Sequence, residues 1–407
     1  MRLVHCLALV LLTAIPGLLL LLHLHSAQLS LTQPAAHHTQ STATRGTSRL
    51  RTPPSRRRLY LGLDLSTQGL KATLLDADTL RVAHTTSVNF DADLPRFRTT
   101  GGAHKHGPRV TSPTLMWVEA MDLLFRRLNS TDVPGLALHA DSSTYISGVS
   151  ASGQQHGSVY WANGAEPVLS HQLDPALTLA TQLTRAFAVD ESPIWMDSST
   201  RAECVRREQA VGGALQLAKI SGSRAFERFT GNQIAAVARS RRGRGKRGGE
   251  GGEGGEGGLG GGLGGVERIS LVSSFVASLL AGKYVGIDSS DAGGMNLMDI
   301  QTKTWDRRLL AVSVPDGKAD GVEADGVGAD GRAASVLDGM ADGVGVDGRA
   351  ASLASLLGPI IQPHSVVGPL SSYFRRRYGS LFSETCVETT YKQPINNFLK
   401  QPINTSK

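Results

Sequence analysis

Leucines alternate with other residues over Leu59–Leu65, where Leu59, Leu61, Leu63 and Leu65 interleave with Tyr60, Gly62 and Asp64. That is the period of a half-buried strand. Ser66–Gly69 reads as a turn, Lys71–Asp76 as a returning strand, and Arg81–Phe90 as a third after the turn at Asp76–Thr79. The pattern predicts an antiparallel three-stranded meander. The period then changes. Val118, Met121, Phe125 and Leu128 recur at helical spacing behind Ser112 as cap and Pro113 in the first turn. Tyr145–Ser152 is a short strand. A second helix is expected from Thr200, where Thr200 and Glu203 have capping-box spacing, to Ile220, with Ser221 and Gly222 as its stop. Glu267–Gly282 reads as a third, strongly apolar helix. Strands followed by interleaved helices and strands indicate an α/β layered domain.

Four stretches lack such patterning. Residues 1–27 have a basic start, an apolar run broken by Pro16 and Gly17, and a small-residue end, the grammar of a signal-like or anchor-like leader. The apolar run is borderline in length for a membrane span. Residues 28–58 are polar and basic, and disorder is expected there. Residues 241–265 are glycine-rich with no apolar period. Residues 311–357 are low in complexity, with VGADGRAAS at Val327 returning as VGVDGRAAS at Val344. Two such copies are too few to stack as a solenoid, and the ligand spacing of a calcium-binding EF-hand is absent. Both blocks are expected to be flexible insertions.

Charge and cysteine content change this picture little. The formal charge of +7 is concentrated in the arm at Arg45–Arg58 and in Arg239–Arg247, without interleaved aromatics. No nucleic-acid partner is expected. The chain has three cysteines, Cys6, Cys204 and Cys386, at no metal-ligand spacing. That usage suits a reducing compartment and the leader does not. The expected location is cytoplasmic, and a membrane or secretory route applies only if the leader is used, in which case Asn129 and Asn404 become glycosylation acceptors.

Chemistry concentrates in two stretches. Gly153–Gly157 reads GQQHG, two glycines enclosing Gln154, Gln155 and His156. Amides and an imidazole give the directional donors and acceptors that a polyhydroxylated ligand needs, and they also suit a polar surface turn. Asp64 precedes Ser66, Thr67 and Gln68. Such a turn can cradle phosphate oxygens beside a carboxylate able to hold Mg²⁺, or can be an ordinary hairpin whose aspartate organises the turn.

LGLDLSTQGLKATLLD, SASGQQHGSVYW, PIWMDSSTRAEC and GSRAFERFTGNQIA, in this order, resemble the FGGY carbohydrate kinases, and among them those acting on D-xylulose. ERISLVSSFVASLL and IDSSDAGGMNLMDIQTKTW continue the likeness, which spans 59–310 outside the glycine block, with a weaker echo over 358–379 and none over 380–407. The resemblance implies the sugar-binding lobe of an actin-like, ribonuclease-H-like fold. It implies phosphorylation of D-xylulose with ATP and Mg²⁺. Carried over by position, His156 and Arg228 match sugar-binding residues, Gln154 and Gln155 line the same loop, and Asp197 lies near the sugar. Asp64 matches the aspartate facing phosphates and metal, with Ser66, Thr67 and Gln68 in the adjoining turn. Taken alone, Arg228 would read as a helix-surface ion pair with Glu227 or another acid. The family's Gly-Asp-Asn segment, which carries the catalytic base, is not found in the 407 residues, nor are its adenine-binding segments. A truncated form, with no catalytic residue present, is therefore expected.

Overall fold

The computed structural model describes residues 57–130, 144–247, 262–314, 343–382 and 385–389. The leader, the arm up to Arg56, the glycines of 248–261, the first repeat copy at Val327 and Asn404 lie outside the described residues.

The meander forms as the alternation predicts. Strands β1 (Arg57–Leu65), β2 (Gly69–Asp76) and β3 (Val82–Asn89) pair antiparallel, and Leu59, Leu61, Leu63 and Leu65 all point into the core. Arg57 and Arg58, expected in the disordered arm, belong to β1 instead. Arg57 donates to Asp76 at 2.7 Å. Hydrogen bonding from the Thr79 backbone, then from Arg57, holds the Asp76 carboxyl down to about 2.

Beyond the meander come β4 (His104–His106), β5 (Arg109–Pro113), β6 (Thr144–Gly153), β7 (Ser158–Ala162), β8 (Glu191–Pro193) and β9 (Val266–Leu271). Two-residue pairs follow, β10 (Ile287–Asp288) with β13 (Ile360–Ile361) and β11 (Met298–Asp299) with β12 (Thr304–Trp305). The last strands are β14 (Val366–Pro369) and β15 (Cys386–Thr389). The main sheet has the order β14-β15-β6-β1-β2-β3, with β1, β6 and β15 parallel. The segment after Gly379, expected to lie outside the family pattern, supplies β15 to the main sheet between β14 and β6, with Val387 fully buried.

Helix boundaries differ from expectation where tertiary contacts compete. The first long helix runs Thr114–Asn129, starting two residues after the proposed cap. Ser112 and Pro113 are strand residues, and the Ser112 hydroxyl donates to the Gly102 carbonyl at 2.7 Å. The helix expected from Thr200 to Ile220 is two, Arg201–Ala210 and Ala214–Ser221. Gly212 and Gly213 sit at φ of 87° and 108° between them, which breaks the helical path. The capping box does not form, because the Thr200 hydroxyl donates to the Glu227 carbonyl and Glu203 takes Arg239 at 3.0 Å. Glu267–Gly282 divides into β9 and a helix, Val272–Ala281, ended by Gly282 in the left-handed region. Short apolar runs do not distinguish strand from helix by period, and here pairing with β7 decides.

Both low-complexity blocks contain residues that take regular structure or pack in the core. Helix Thr230–Arg247 extends into the glycine block, and on its far side Leu263 is fully buried. Arg241 donates to the carbonyls of Gly262 at 2.9 Å and Gly264 at 3.0 Å. Leu263→Ala is expected to lose about 2–4 kcal/mol in urea unfolding, where a loop leucine would lose almost nothing. The second repeat copy is helical within Gly343–Leu357, whose Ala350, Leu353, Leu356 and Leu357 pack in the core.

Two apolar cores result. One lies on the main sheet with Trp117, Phe125, Phe275 and Phe374; the other holds Tyr160, Leu217, Ile234, Leu271 and Leu353. Strand β7 divides them, with Val159 and Trp161 facing one and Tyr160 the other. Among the described residues no helix is long and apolar enough to cross a membrane.

Candidate functional site

Parallel strands β1 and β6 end side by side, and their carboxyl ends carry the two stretches singled out in the sequence. Crevices outside the carboxyl ends of parallel strands are where α/β folds bind ligands. The Gln154 N–H donates to the Leu65 carbonyl at 2.8 Å, tying the GQQHG loop to the end of β1.

The two glycines of the loop are required by the helix behind it. A Cβ on Gly153 would lie 2.6 Å from Val272 Cγ1 and 2.8 Å from the Ser273 nitrogen. One on Gly157 would lie 2.8 Å from Val272 Cγ2. This close approach presses the loop onto the start of helix Val272–Ala281 and fixes what lies between. Gln154 is buried, with neither its Nε2 nor its Oε1 hydrogen-bonded. Gln155 is exposed.

His156 is held from several sides. Its φ is 65°, a left-handed value that costs a non-glycine residue energy. The Thr230 hydroxyl donates to its carbonyl at 3.0 Å, and its ring lies 4.8 Å from that of Phe229. Burial, and then the charge of Arg228, push the imidazole down to about 4, against a smaller opposing pull from the Gly294 backbone. The ring is neutral at neutral pH. Arg228 is exposed, with its guanidinium 5.7 Å from the Phe226 ring centroid. Glu227 pairs with Arg201 at 3.4 Å, so the ion pair that the sequence alone suggested for Arg228 is made by another arginine.

Asp64 accepts from Ser66 Oγ at 2.8 Å and from Ser152 Oγ at 3.3 Å. Ser66, Thr67 and Gln68 line a pocket of about 370 Å³ together with Thr100, Lys105, Trp195 and Met196. Asp197 is buried in the turn that follows, where it accepts from the Ser199 N–H at 2.8 Å. The structure therefore brings His156, Arg228 and the glutamines to one loop cluster and Asp64, Ser66, Thr67 and Gln68 to the neighbouring turn. Asp197 is engaged in shaping the chain between them. Phe229, Gly294, Lys105 and Trp195 were not singled out in the sequence. Phe229, Trp195 and Gly294 lie in quoted motifs, whereas Lys105 carried no signal. Among the described residues no group of three or more His, Cys, Asp or Glu side chains could hold a metal ion.

The chain superimposes with a TM-score of 0.52 on a ligand-bound xylulose kinase from Lactobacillus acidophilus, covering 82% of this chain and 48% of that one at 12% identity. Plasmodium falciparum glycerol kinase with ADP gives 0.51 over the same shares, also at 12% identity. No family model matches the chain. It is nevertheless similar over about four-fifths of its length to curated proteins that carry the name xylulose kinase, in keeping with the resemblance to FGGY carbohydrate kinases. It is 40% identical over 332 residues to xylulose kinase 2 of Arabidopsis thaliana, covering 81% of this chain and 48% of that protein. Against xylulose kinase of Mus musculus it is 41% identical over 336 residues, 82% and 49% respectively. The chain spans about half the length of the curated relatives it matches.

Proposed function

We propose that this chain is the sugar-binding lobe of an ATP-dependent kinase acting on D-xylulose. The observation that carries the reading is the Gln154 amide, buried beside His156 with no partner at either end. A buried amide without hydrogen bonds costs about 1–3 kcal/mol. A ligand hydroxyl that can both donate and accept would remove that cost. His156, neutral and held in place, offers a further directional contact, and Arg228 offers donors in a rigid fork.

Asp64 and the hydroxyls after it suit the phosphate end of such a site. Mg²⁺ is commonly bound by one or two carboxylates together with phosphates and water, so the lack of a multi-carboxylate cluster is compatible with it. Asp64 would hold the ion, which when bound neutralises phosphate charge. Ser66 and Ser152 orient that carboxylate. A second reading, a sugar-binding module that does not turn its ligand over, is favoured by the absence of a Gly-Asp-Asn segment in the 407 residues. Buried Cys204 and unpaired Cys386 fit a reducing, cytoplasmic setting.

Ligand-observed NMR with D-xylulose tests the reading. His156→Ala is expected to weaken binding about five- to hundred-fold, the loss of one buried hydrogen-bonding partner. Equal binding by wild type and variant would overturn it. Affinity should stay flat from pH 8 to about 5 and fall as the pH approaches 4, where His156 takes a proton. The folded group binds its proton less readily than the unfolded one, whose pKa is 6.5. Stability from this residue is therefore full above about 6.5 and declines as pH falls toward 4.

A further inference from the structure

We propose that Gly294 positions His156: its carbonyl takes the proton on Nδ1, so that the ring presents a bare Nε2 and accepts a hydrogen bond from a hydroxyl of the ligand. The ligand is the sugar of the kinase reading, on which this assignment rests.

Three segments close around the imidazole. On one side the Phe229 ring lies 4.8 Å away, centroid to centroid, and the Thr230 hydroxyl donates to the His156 carbonyl at 3.0 Å. On another lies Gly294, where a Cβ would come 3.1 Å from Cε1 and 3.4 Å from Nδ1 of the ring. The Gly231 N–H donates to the Met295 carbonyl at 3.0 Å and joins these two segments. The third is the start of helix Val272–Ala281, whose Val272 packs against both glycines of the loop. Its neighbour Ser273 donates to the Asp291 carboxylate. Asp288 caps the same turn, accepting from the Ser290 N–H at 2.9 Å and the Asp291 N–H at 3.1 Å. The Gly294 N–H donates back to the Asp291 carbonyl at 3.0 Å. Gly294 is thereby fixed relative to the loop that carries His156.

A neutral imidazole carries one proton, and the partner of one nitrogen decides which nitrogen holds it. Burial and Arg228 keep the ring neutral, while the Gly294 backbone favours the protonated form, as an accepting carbonyl does. The Nδ1 side of the ring is the one nearest Gly294. A proton held there leaves Nε2 as an acceptor only. The Arg228 guanidinium can only donate, so the two side chains are complementary, and a sugar hydroxyl can give its proton to one and accept from the other. Gly294 itself has φ of −87° and ψ of 5°, a backbone that alanine also adopts. A methyl group there therefore loads its strain onto the imidazole and not onto the chain.

Long-range proton–nitrogen NMR of the full chain, labelled at its histidines, reads the tautomer at neutral pH, and His156→Gln assigns the signal among the 12 histidines. The wild type is expected to carry the proton on Nδ1, and D-xylulose to shift the Nε2 resonance while leaving that proton in place. Gly294→Ala is expected to mix the two tautomers and to weaken D-xylulose binding about tenfold, the scale of one misplaced hydrogen bond, with no loss of melting temperature. Gly348→Ala, whose Cβ would meet nothing within 4 Å, should change neither tautomer nor affinity. A proton on Nε2 in the wild type would overturn the proposal, and so would a Gly294→Ala variant that keeps the wild-type tautomer or the wild-type sugar affinity. An Nδ1 proton that depends on Gly294, without D-xylulose binding by the wild type, would sink the sugar-lobe reading and leave the positioning of the ring standing.

Discussion

Arg207→Ala is expected to lose about 3–5 kcal/mol of stability, since several buried acceptors lose a charged donor at about 1–3 kcal/mol each. Arg207 is fully buried. Its guanidinium donates to Asn232 Oδ1 at 2.8 Å, to the carbonyls of Asn296 and Leu309 at 3.1 Å each, and to Ser313 Oγ at 2.8 Å. It therefore joins helix Arg201–Ala210 to helices Thr230–Arg247 and Arg307–Ser313. Burial pushes its pKa down to about 10, partly offset by Cys204 and Glu203. Alanine would remove four donated hydrogen bonds and leave a cavity between the helices, with the Leu309 carbonyl keeping the Ser313 hydroxyl as donor. Arg201, 68% exposed and paired with Glu227 at 3.4 Å, is the control. Its alanine variant should stay within about 0.5 kcal/mol. Urea unfolding of both decides the matter, and equal midpoints would show that the buried network contributes nothing.

Incubated with MgATP and D-xylulose, the 407-residue chain should produce no sugar-dependent ADP. A positioned general base contributes about 10²–10⁴ in rate, and positioning of the reacting groups contributes more. The family's base segment is not in this sequence, and the carboxylates described at the site are engaged elsewhere. The Asp64 carboxylate is occupied by Ser66 and Ser152, and Asp197 by the Ser199 N–H. A coupled ADP assay measures this directly. Turnover of about 1–100 s⁻¹, ordinary for kinases, would mean that one of these carboxylates acts as base. D-xylulose binding without turnover would match the second functional reading.

The sequence by itself determined the meander, the strand leading to GQQHG and the glycine stop at Gly282, because each rests on a local period or on the conformational freedom of one residue type. It also singled out His156, Arg228 and the Asp64 turn as candidates, through the order of long motifs. Tertiary structure alone decided that the second repeat copy is helical and that Cys386–Thr389 is a strand inside the main sheet. Glycine-rich or short segments have little preference of their own and take their form from the surface they meet. It likewise decided that Leu263 is core and that Arg207, one of several arginines in a polar helix, is buried. Composition cannot reveal which charged side chain will meet a set of unpaired carbonyls. The partners of Arg207 lie 25, 89, 102 and 106 residues away along the chain, and folding alone brings them within reach.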